Sequence, residues 1–168
     1  MKERGVTLIE VLAAMTIIMI LATAATPLAR ISATRAREIE LRQHLRTVRA
    51  AIDAFRQDWN RDGDVLLGPL CVENKLTCKV VSGLSGYPKS LEVLLEVTLS
   101  EEEATVKGST IRRYLRKIPM DPMTSRIDWR LRCHADPPHS TSWCGEDAYD
   151  ISSSSSEIAL DGTRYQEW

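Results

Sequence analysis

Apolar residues follow two different patterns along one predicted helix at the start of the chain. From Val6 to Ala29 they fill nearly every position, and Glu10 is the single charged residue of this stretch. A helix of these 24 residues, rising about 1.5 Å per residue, can just cross a bilayer core of about 30 Å. The first pattern therefore predicts a membrane-spanning helix.

The second pattern begins after Arg30, where apolar residues recur in steps of three and four. Such a stripe is typical of an amphipathic helix with one buried face. Its positions are Leu41, Leu45, Val48, Ile52, Phe55 and Trp59. The two patterns together predict one helix from about Val6 to Asp58, loosened locally at Pro27 because proline lacks a backbone N–H. Because the stripe needs a partner, we expect the remaining domain to pack on the second half of this helix.

The other faces of the predicted amphipathic half are rich in arginine. These residues are Arg35, Arg37, Arg42, Arg46, Arg49 and Arg56. Three interpretations stay open for them: a surface that faces solvent or lipid headgroups, a contact with acidic patches on neighbouring subunits, or a track for DNA phosphates. The net charge of −1 gives no general reason to expect nucleic acid as a partner.

Glu10 needs an explanation, because a carboxylate in an apolar helix is costly. The cost is on the order of 2.5–3.5 kcal/mol at mid-membrane and is smaller near the edge. An ordinary signal anchor would tolerate this residue without needing it. A secretory signal peptide is also possible, since Ala22-Thr23-Ala24 is an A-x-A tripeptide of the kind found at cleavage sites. The helical pattern continues past that tripeptide, which favours an anchor.

The segment GVTLIE, from Gly5 to Glu10, resembles the prepilin signature of type IV pilins and type II secretion pseudopilins. The resemblance implies that a prepilin peptidase cuts between Gly5 and Val6 and that Val6 is then N-methylated. It also implies that Glu10 meets the free amine of Val6 on a neighbouring subunit. Two charges that are each costly in lipid would then form a pair, which favours assembled subunits.

The second half of the chain resembles the major pseudopilins of type II secretion in particular. Tyr87-Pro88, the segment from Ile118 to Pro122, a strand pair and the segment from Tyr149 to Ser152 occur in that order. The resemblance implies self-assembly into a helical filament, with an inner-membrane assembly platform, minor pseudopilins and a cytoplasmic ATPase as partners. A type IV pilus pilin for adhesion, motility or DNA uptake is the alternative, and so is a monomeric membrane-anchored binding module.

Local patterns predict the elements of the domain. Residues Val65 to Gly86 are loop-like, and Ser90 is a candidate N-cap for a short helix with the sequence SLEVLLEV. The alternation from Ile127 to Cys133 predicts a strand with one buried face, paired with Ala148 to Ile151. The serine run from Ser152 to Ser156 is interpreted as a flexible or turn-forming segment.

The chain has four cysteines, and an even number beyond a membrane segment suggests disulfides in an oxidising compartment. Of the three possible connectivities, we favour Cys71–Cys78 and Cys133–Cys144, because each pair closes a short polar loop. A zinc site would instead use the last two cysteines with His134 and His139, a set of residue types that zinc accepts. Its spacing matches no common zinc pattern.

Calcium is the candidate cofactor that the resemblance suggests. The resemblance implies a calcium-binding loop near the end of the domain, where Asp150, Glu157 and Asp161 are the available acids. The run from Ser152 to Ser156 lacks the glycine and aspartate that the family has there.

A second calcium pattern lies between Asp58 and Gly63, which matches the opening of an EF-hand loop. Pro69 stands where the bidentate glutamate should be. The alternative is a helix C-terminus with Gly63 in a left-handed cap.

No catalytic constellation stands out, so we do not expect an enzyme. The histidines have no nucleophile at motif spacing, and the chain has no Gly-rich phosphate loop and no H-E-x-x-H.

The expected fold is α+β and pilin-like: a long N-terminal helix packed on a small domain with a short helix and a small antiparallel sheet. The expected divisions are a leader over 1–5, a transmembrane half over 6–29, an amphipathic half over 30–62 and a globular domain over 63–168. The resemblance places the anchor in a bacterial inner membrane as a single pass and the domain in the periplasm.

Overall fold

A computed structural model describes residues 7–99, 111–138, 140 and 142–168. The predicted α+β, pilin-like architecture is confirmed: one long helix is followed by short helices and small antiparallel sheets. The helices are α1 (Leu8–Trp59), α2 (Pro69–Glu73) and α3 (Lys75–Val81), with 3₁₀ turns at Glu92–Leu94 and Tyr165–Glu167. The strands are β1 (Arg61–Asp62), β2 (Val65–Leu66), β3 (Val97–Thr98), β4 (Ile111–Arg112), β5 (Arg130–Arg132) and β6 (Asp150–Ser152).

The chain divides into two compact units, the first ending at Arg37 and the second running from Glu38 to Trp168. In the second unit, the described strands form three antiparallel pairs, β1 with β2, β3 with β4, and β5 with β6. Helix α1 ends at Trp59, slightly before the expected boundary at residue 62, because Arg61 and Asp62 turn into a hairpin.

The predicted apolar stripe forms the centre of the core of the second unit. All six stripe residues are almost completely buried, and Phe55 and Trp59 are among the largest side chains in that state. The ring of Phe55 lies edge-on to that of Tyr114, with centroids 5.4 Å apart. The indole N–H of Trp59 donates to the hydroxyl of Tyr114 at 2.8 Å, and that hydroxyl donates to Asp58 at 2.7 Å. The polar atoms of these buried rings are therefore satisfied.

Gly63 has a left-handed backbone, with φ of +56°, but it does not cap a helix. It lies with Asp64 in the two-residue turn of the β1–β2 hairpin, where a positive φ suits glycine. Its N–H donates to the carbonyl of Leu84 at 3.0 Å. Gly68 is needed for a different reason, because a Cβ there would lie 2.4 Å from the carbonyl oxygen of Asp58.

The prediction of a loop from Val65 to Gly86 was wrong, because two short helices, α2 and α3, lie within this segment. Helix α2 starts with Pro69, whose missing N–H costs nothing in the first turn. Asn74 separates α2 from α3; its N–H donates to the carbonyl of Leu70, and its carbonyl accepts from the N–H of Cys78, both at 2.8 Å. These helices are too short to show a clear apolar period in the sequence.

The helix predicted from Ser90 was also wrong, since only the 3₁₀ turn Glu92–Leu94 forms. The carbonyl of Leu94 accepts the N–H groups of Tyr114 and Leu115, both at 2.9 Å. Val97 leaves the helical path and pairs with Arg112 in the β3–β4 sheet. Long-range pairing with distant residues therefore outweighs the local helix propensity of SLEVLLEV.

The predicted strand pair near the end of the chain is confirmed with narrower limits. Strand β5 pairs with β6 in antiparallel register, and Leu131 lies opposite Ile151. Trp129 and Cys133, on either side of β5, are buried. The indole N–H of Trp129 donates to the carbonyl of Pro119 at 2.8 Å.

The serine run was interpreted as a flexible or turn-forming segment, but it is packed into the domain. Ser153 and Ser155 are buried. The hydroxyl of Ser153 donates to the buried carboxylate of Asp121 at 2.6 Å and accepts the N–H of Ser155 at 3.0 Å. Ser154 donates to the carbonyl of Asp128. The serine hydroxyls form hydrogen bonds with buried polar groups. These groups come close to the serines only in the folded chain, so the sequence alone could not predict the hydrogen bonds.

Candidate functional site

The first candidate site is the start of α1. The helix begins at Leu8, and the N–H groups of Glu10 and Val11 donate to the carbonyl of Thr7 at 3.1 and 3.2 Å. Glu10 thus lies in the first turn, where the helix N-terminus favours a carboxylate by about 0.3–1 kcal/mol. The predicted cleavage and methylation site, Gly5 and Val6, lies outside the described residues and stays a prediction.

The apolar surface that follows Glu10 is uncovered in the structure. Its large side chains are between 42% and 81% exposed from Leu8 to Ile31. An 18-residue window of this helix has a mean hydropathy of 2.3, and none of the window is buried. It is long and apolar enough to cross a membrane. An apolar surface of this extent is unusual on a soluble monomer, which supports a membrane-anchored protein.

Hydroxyl side chains inside the apolar stretch bond to their own helix. Thr16 donates to the carbonyl of Ala13 at 2.8 Å, and Thr23 donates to that of Ile20 at 2.8 Å. Thr26 donates to the carbonyl of Thr23 at 3.2 Å, which Pro27 leaves without its usual N–H partner. These polar groups therefore need no water, as a helix in lipid requires.

Some arginines of the arginine-rich face have a role that none of the three interpretations named. They contact the domain that packs on the same helix. Arg49 donates to the carboxylate of Asp150 at 2.7 Å and to the backbone oxygens of Ile151 at 3.0 Å and Trp168 at 2.6 Å. Arg56 donates to the hydroxyl of Tyr87 at 2.7 Å.

Arg42 completes this set, because its guanidinium lies 4.1 Å from the centre of the Trp168 ring. It also pairs with Asp161 at 3.3 Å. These three arginines hold the domain on its own helix. A phosphate track along the whole face is therefore not available, whereas Arg35, Arg37 and Arg46 remain exposed.

Glu38 is a buried polar residue whose place in the fold the sequence analysis missed. It is buried, and one carboxylate oxygen accepts the hydroxyl of Tyr165 at 3.0 Å and the N–H of Leu160 at 2.8 Å. Burial, followed by the hydrogen bond to Glu38, raises the pKa of Tyr165 to about 12. The signal was present in the spacing, because Glu38 lies three residues before Leu41 and continues the stripe.

The three acids proposed for calcium do not come together in the structure. Asp150 is engaged by Arg49 at 2.7 Å and by Arg132 at 2.9 Å. Asp161 accepts hydrogen bonds from Thr163, which lower the pKa of its carboxyl. Glu157 is exposed, and these carboxylates form no metal-binding group among the described residues. Tyr165 and Trp168 instead order this segment by packing, with ring centroids 5.2 Å apart.

The EF-hand-like segment is likewise used by the fold. The carboxylate of Asp58 accepts from the hydroxyl of Tyr114 and pairs with Arg112 at 2.9 Å. Asp62 belongs to strand β1. The first residues of the predicted calcium loop therefore belong to the end of α1 and to the β1–β2 hairpin.

Both favoured disulfides are present, Cys71–Cys78 and Cys133–Cys144. Cys133, Asp136 and Cys144 are close enough together to resemble a metal site, but the two sulfurs are bonded to each other and cannot act as thiolates. His134 instead lies against the ring of Tyr87, with centroids 5.5 Å apart. His139 lies outside the described residues.

Comparison with known families gave a match at the start of the chain. Residues 1–26 match the family model described as the prokaryotic N-terminal methylation motif. The match supports a type IV pilin-like family, in which the motif implies processing by a prepilin peptidase and assembly into filaments. It also points to a structural subunit. The comparisons with curated proteins and with solved structures gave no significant match.

Proposed function

We propose that this protein is a pseudopilin, a structural subunit of a periplasmic type II secretion pseudopilus that drives protein export. The observation that carries the proposal is Glu10, a carboxylate in the first turn of an uncovered apolar helix within the matched motif. Among the described residues, no ion pair involves the Glu10 carboxylate. A partner from another subunit is the simplest compensation for such a charge in lipid.

The proposed mechanism starts with cleavage between Gly5 and Val6, which gives Val6 a free amine that is then methylated. The transmembrane half, residues 6–29, holds the subunit in the bacterial inner membrane, and the domain of residues 63–168 lies in the periplasm. An assembly platform adds subunits to a helical filament together with minor pseudopilins. Each addition pairs Glu10 with the Val6 amine of a neighbour, and a cytoplasmic ATPase supplies the work.

The choice of a pseudopilin over a type IV pilus pilin rests on the resemblance of the second half. Two of the motif residues have clear places in the fold of the domain. Tyr87 is buried and its hydroxyl accepts from Arg56, and Asp121 is the buried acceptor of Ser153. The resemblance therefore involves residues on which the packing of the domain depends, and not only its surface.

Glu10→Ala and Glu10→Gln test the proposal. Both variants should insert in the membrane and be cleaved as the wild type is, so that intact mass shows a mature chain starting at methylated Val6. Their incorporation into filaments should fall at least about tenfold, which requires only about 1.4 kcal/mol. Subunit crosslinking in cells that express the whole assembly apparatus measures this. Glu40→Gln, an exposed acid of the same helix, is the control.

Filaments as abundant as those of the wild type in both variants would refute charge pairing as the basis of recruitment. A mature chain starting at Ala25, or an unprocessed Met1, would remove the filament role altogether. Deletion of the gene then separates the two related functions. Loss of protein export with unchanged surface pili supports a pseudopilin, and the reverse result supports a pilus pilin.

A further inference from the structure

Three arginines that follow the apolar part of α1 are left without a partner. They are Arg30, Arg35 and Arg37, and all three are exposed. Within the described part of the chain, no hydrogen bond or ion pair involves their side chains. Further along the same helix, Arg49 and Arg56 are held by the domain. The first three, called the proximal arginines below, are therefore available to a partner other than this domain.

The proximal arginines carry a positive charge that no neighbouring acid offsets. Between Glu10 and Glu38 the sequence contains three arginines and no aspartate or glutamate, which gives this stretch a net charge of +3. The hydroxyl of Thr34 donates to the carbonyl of Arg30 at 3.1 Å and is thus used within the helix. The guanidinium groups are not used in this way, so an anion is the partner that their charge favours.

The proximal arginines follow directly on the apolar surface. Arg30 comes after the predicted membrane-spanning stretch, residues 6–29, and the first compact unit includes it and ends at Arg37. Arg35 and Arg37 lie about 7.5 and 10.5 Å beyond Arg30 along the helix axis. The headgroup region extends about 5–7 Å beyond the hydrocarbon core. Side chains of a helix lean towards its N-terminus, so these arginines can reach the headgroups.

The proximal arginines lie on more than one side of the helix. Arg30 and Arg37 are seven residues apart and share a side, whereas Arg35 lies about 140° around the axis from Arg30. A protein or a DNA duplex that docks on a helix contacts one side of it, whereas a lipid leaflet surrounds it. The spread of the three charges therefore favours a membrane surface as their partner.

We propose that Arg30, Arg35 and Arg37 bind the phosphate groups of anionic phospholipids, such as phosphatidylglycerol, where α1 leaves the membrane. A guanidinium group can donate two parallel hydrogen bonds to phosphate oxygens. Phosphatidylcholine also has a phosphate, but its own ammonium group cancels the charge that attracts basic residues. The inference requires only the membrane anchor. It depends neither on filament assembly nor on the side of the membrane where the domain lies.

Lipid binding by the full chain in detergent tests the inference. The protein is mixed with equal amounts of phosphatidylglycerol and phosphatidylcholine with identical acyl chains, and native mass spectrometry counts the retained lipids of each kind. The wild type should retain phosphatidylglycerol at least about tenfold more often, because each basic residue adds to the attraction. Arg30→Gln, Arg35→Gln and Arg37→Gln combined should reduce this preference to less than about twofold.

The matched control replaces three exposed arginines of the domain by glutamine, Arg116, Arg126 and Arg164. It removes the same total charge and should keep the preference of the wild type. Thermal unfolding should be the same in both triple variants, because the altered side chains are exposed. An unchanged preference in the first variant would overturn the inference. An equal loss in both variants would overturn it too, since net charge and not position would then decide.

Two soluble competitors identify the source of the phosphate. Glycerol phosphate has the headgroup chemistry without acyl chains, and a short DNA duplex carries many phosphates. Neither should displace phosphatidylglycerol at about 150 mM salt, where exposed charges are screened. Displacement by glycerol phosphate would assign the arginines to a soluble phosphate compound, and displacement by DNA would assign them to a nucleic acid. Either result would overturn the lipid site.

Photocrosslinking locates the contact in bilayers that contain both lipids. A benzophenone amino acid replaces Ala33, which is exposed between the arginines, Ala50, an exposed position further along α1, or Ile20 in the apolar part. Position 33 should give adducts with phosphatidylglycerol and position 50 should not, while position 20 reports the anchor through adducts with acyl chains. Adducts at 20 without any at 33, or equal adducts at 33 and 50, would overturn the lipid site alone. No lipid adducts at 20 would refute the anchor itself.

Discussion

The two apolar surfaces of helix α1 differ in shape and in what covers them. From Leu8 to Ile31 the helix is apolar on most sides, and this surface is exposed in the structure. From Leu41 to Trp59 the apolar residues form one narrow stripe, and the domain buries it completely. The comparison teaches that the second surface is covered within its own compact unit, whereas the first is left exposed in its unit.

The polar residues of the two regions differ in the same way. In the first region they are hydroxyls that bond to their own helix and Glu10, which has no described partner. In the second they include Glu38, Arg49 and Arg56, which bond to the domain. These three polar groups of the second region are therefore part of the packing, whereas a partner for Glu10 is supplied only in the proposed filament.

The largest expected effect comes from truncating the buried stripe. Phe55→Ala should lower the free energy of unfolding by about 3–5 kcal/mol, because it leaves a cavity beside Trp59 and Tyr114. Ile20→Ala, in the exposed region, should change it by no more than about 0.5 kcal/mol. Urea unfolding of the full chain in detergent measures both. Equal losses would show that the first region is also packed within the chain.

The disulfides give a second test of the difference between the two regions, because both lie in the second unit. Replacing both cysteines of either pair by alanine should cost about 2–3 kcal/mol, since each closes a short loop. A dithiol should reduce Cys133–Cys144 first, because Cys144 is exposed while both cysteines of the other pair are buried. Peptide mapping after timed alkylation measures the order. Simultaneous reduction would mean that unfolding, and not access, limits the reaction.

A smaller effect is expected for Arg49→Ala, which removes three hydrogen bonds between α1 and the domain. The loss should be about 1–2 kcal/mol, reduced by the partial exposure of the side chain. Arg46→Ala, an exposed neighbour on the same helix, should cost less than about 0.5 kcal/mol. If both variants lose the same free energy of unfolding, the contacts of Arg49 add nothing to stability and the arginine face acts only as a solvated surface.

The effect that is smallest at neutral pH is a dependence of stability on alkaline pH. Burial raises the pKa of Tyr165 from 10.0 to about 12, so the folded state keeps a proton that the unfolded state releases. This contribution is complete below pH 10 and is lost as the pH rises to about 12. Tyr165→Phe should reduce the loss of unfolding free energy between pH 10 and 12. Tyr149→Phe, at an exposed position, should leave that loss unchanged. Unfolding curves at pH 9 to 12 measure the change; equal slopes in both variants would contradict it.

Periodicity predicted more of this protein than any other sequence signal. The stripe from Leu41 to Trp59 and the β5–β6 pair follow from spacing, because burial of one face imposes a period on the sequence. The favoured disulfides followed from short loops. The helices α2 and α3 were missed because five and seven residues are too few to show a period.

The sequence by itself determined the uniform apolar stretch with Glu10 and the narrow stripe after it, since both are properties of consecutive residues on one helix. Only the tertiary structure decided that SLEVLLEV would form a 3₁₀ turn and a strand, that Ser153 would donate to Asp121, and that Asp150 and Asp161 would pair with arginines. Those outcomes depend on groups far apart in the chain. A local pattern cannot reveal which distant donor will satisfy a buried acceptor.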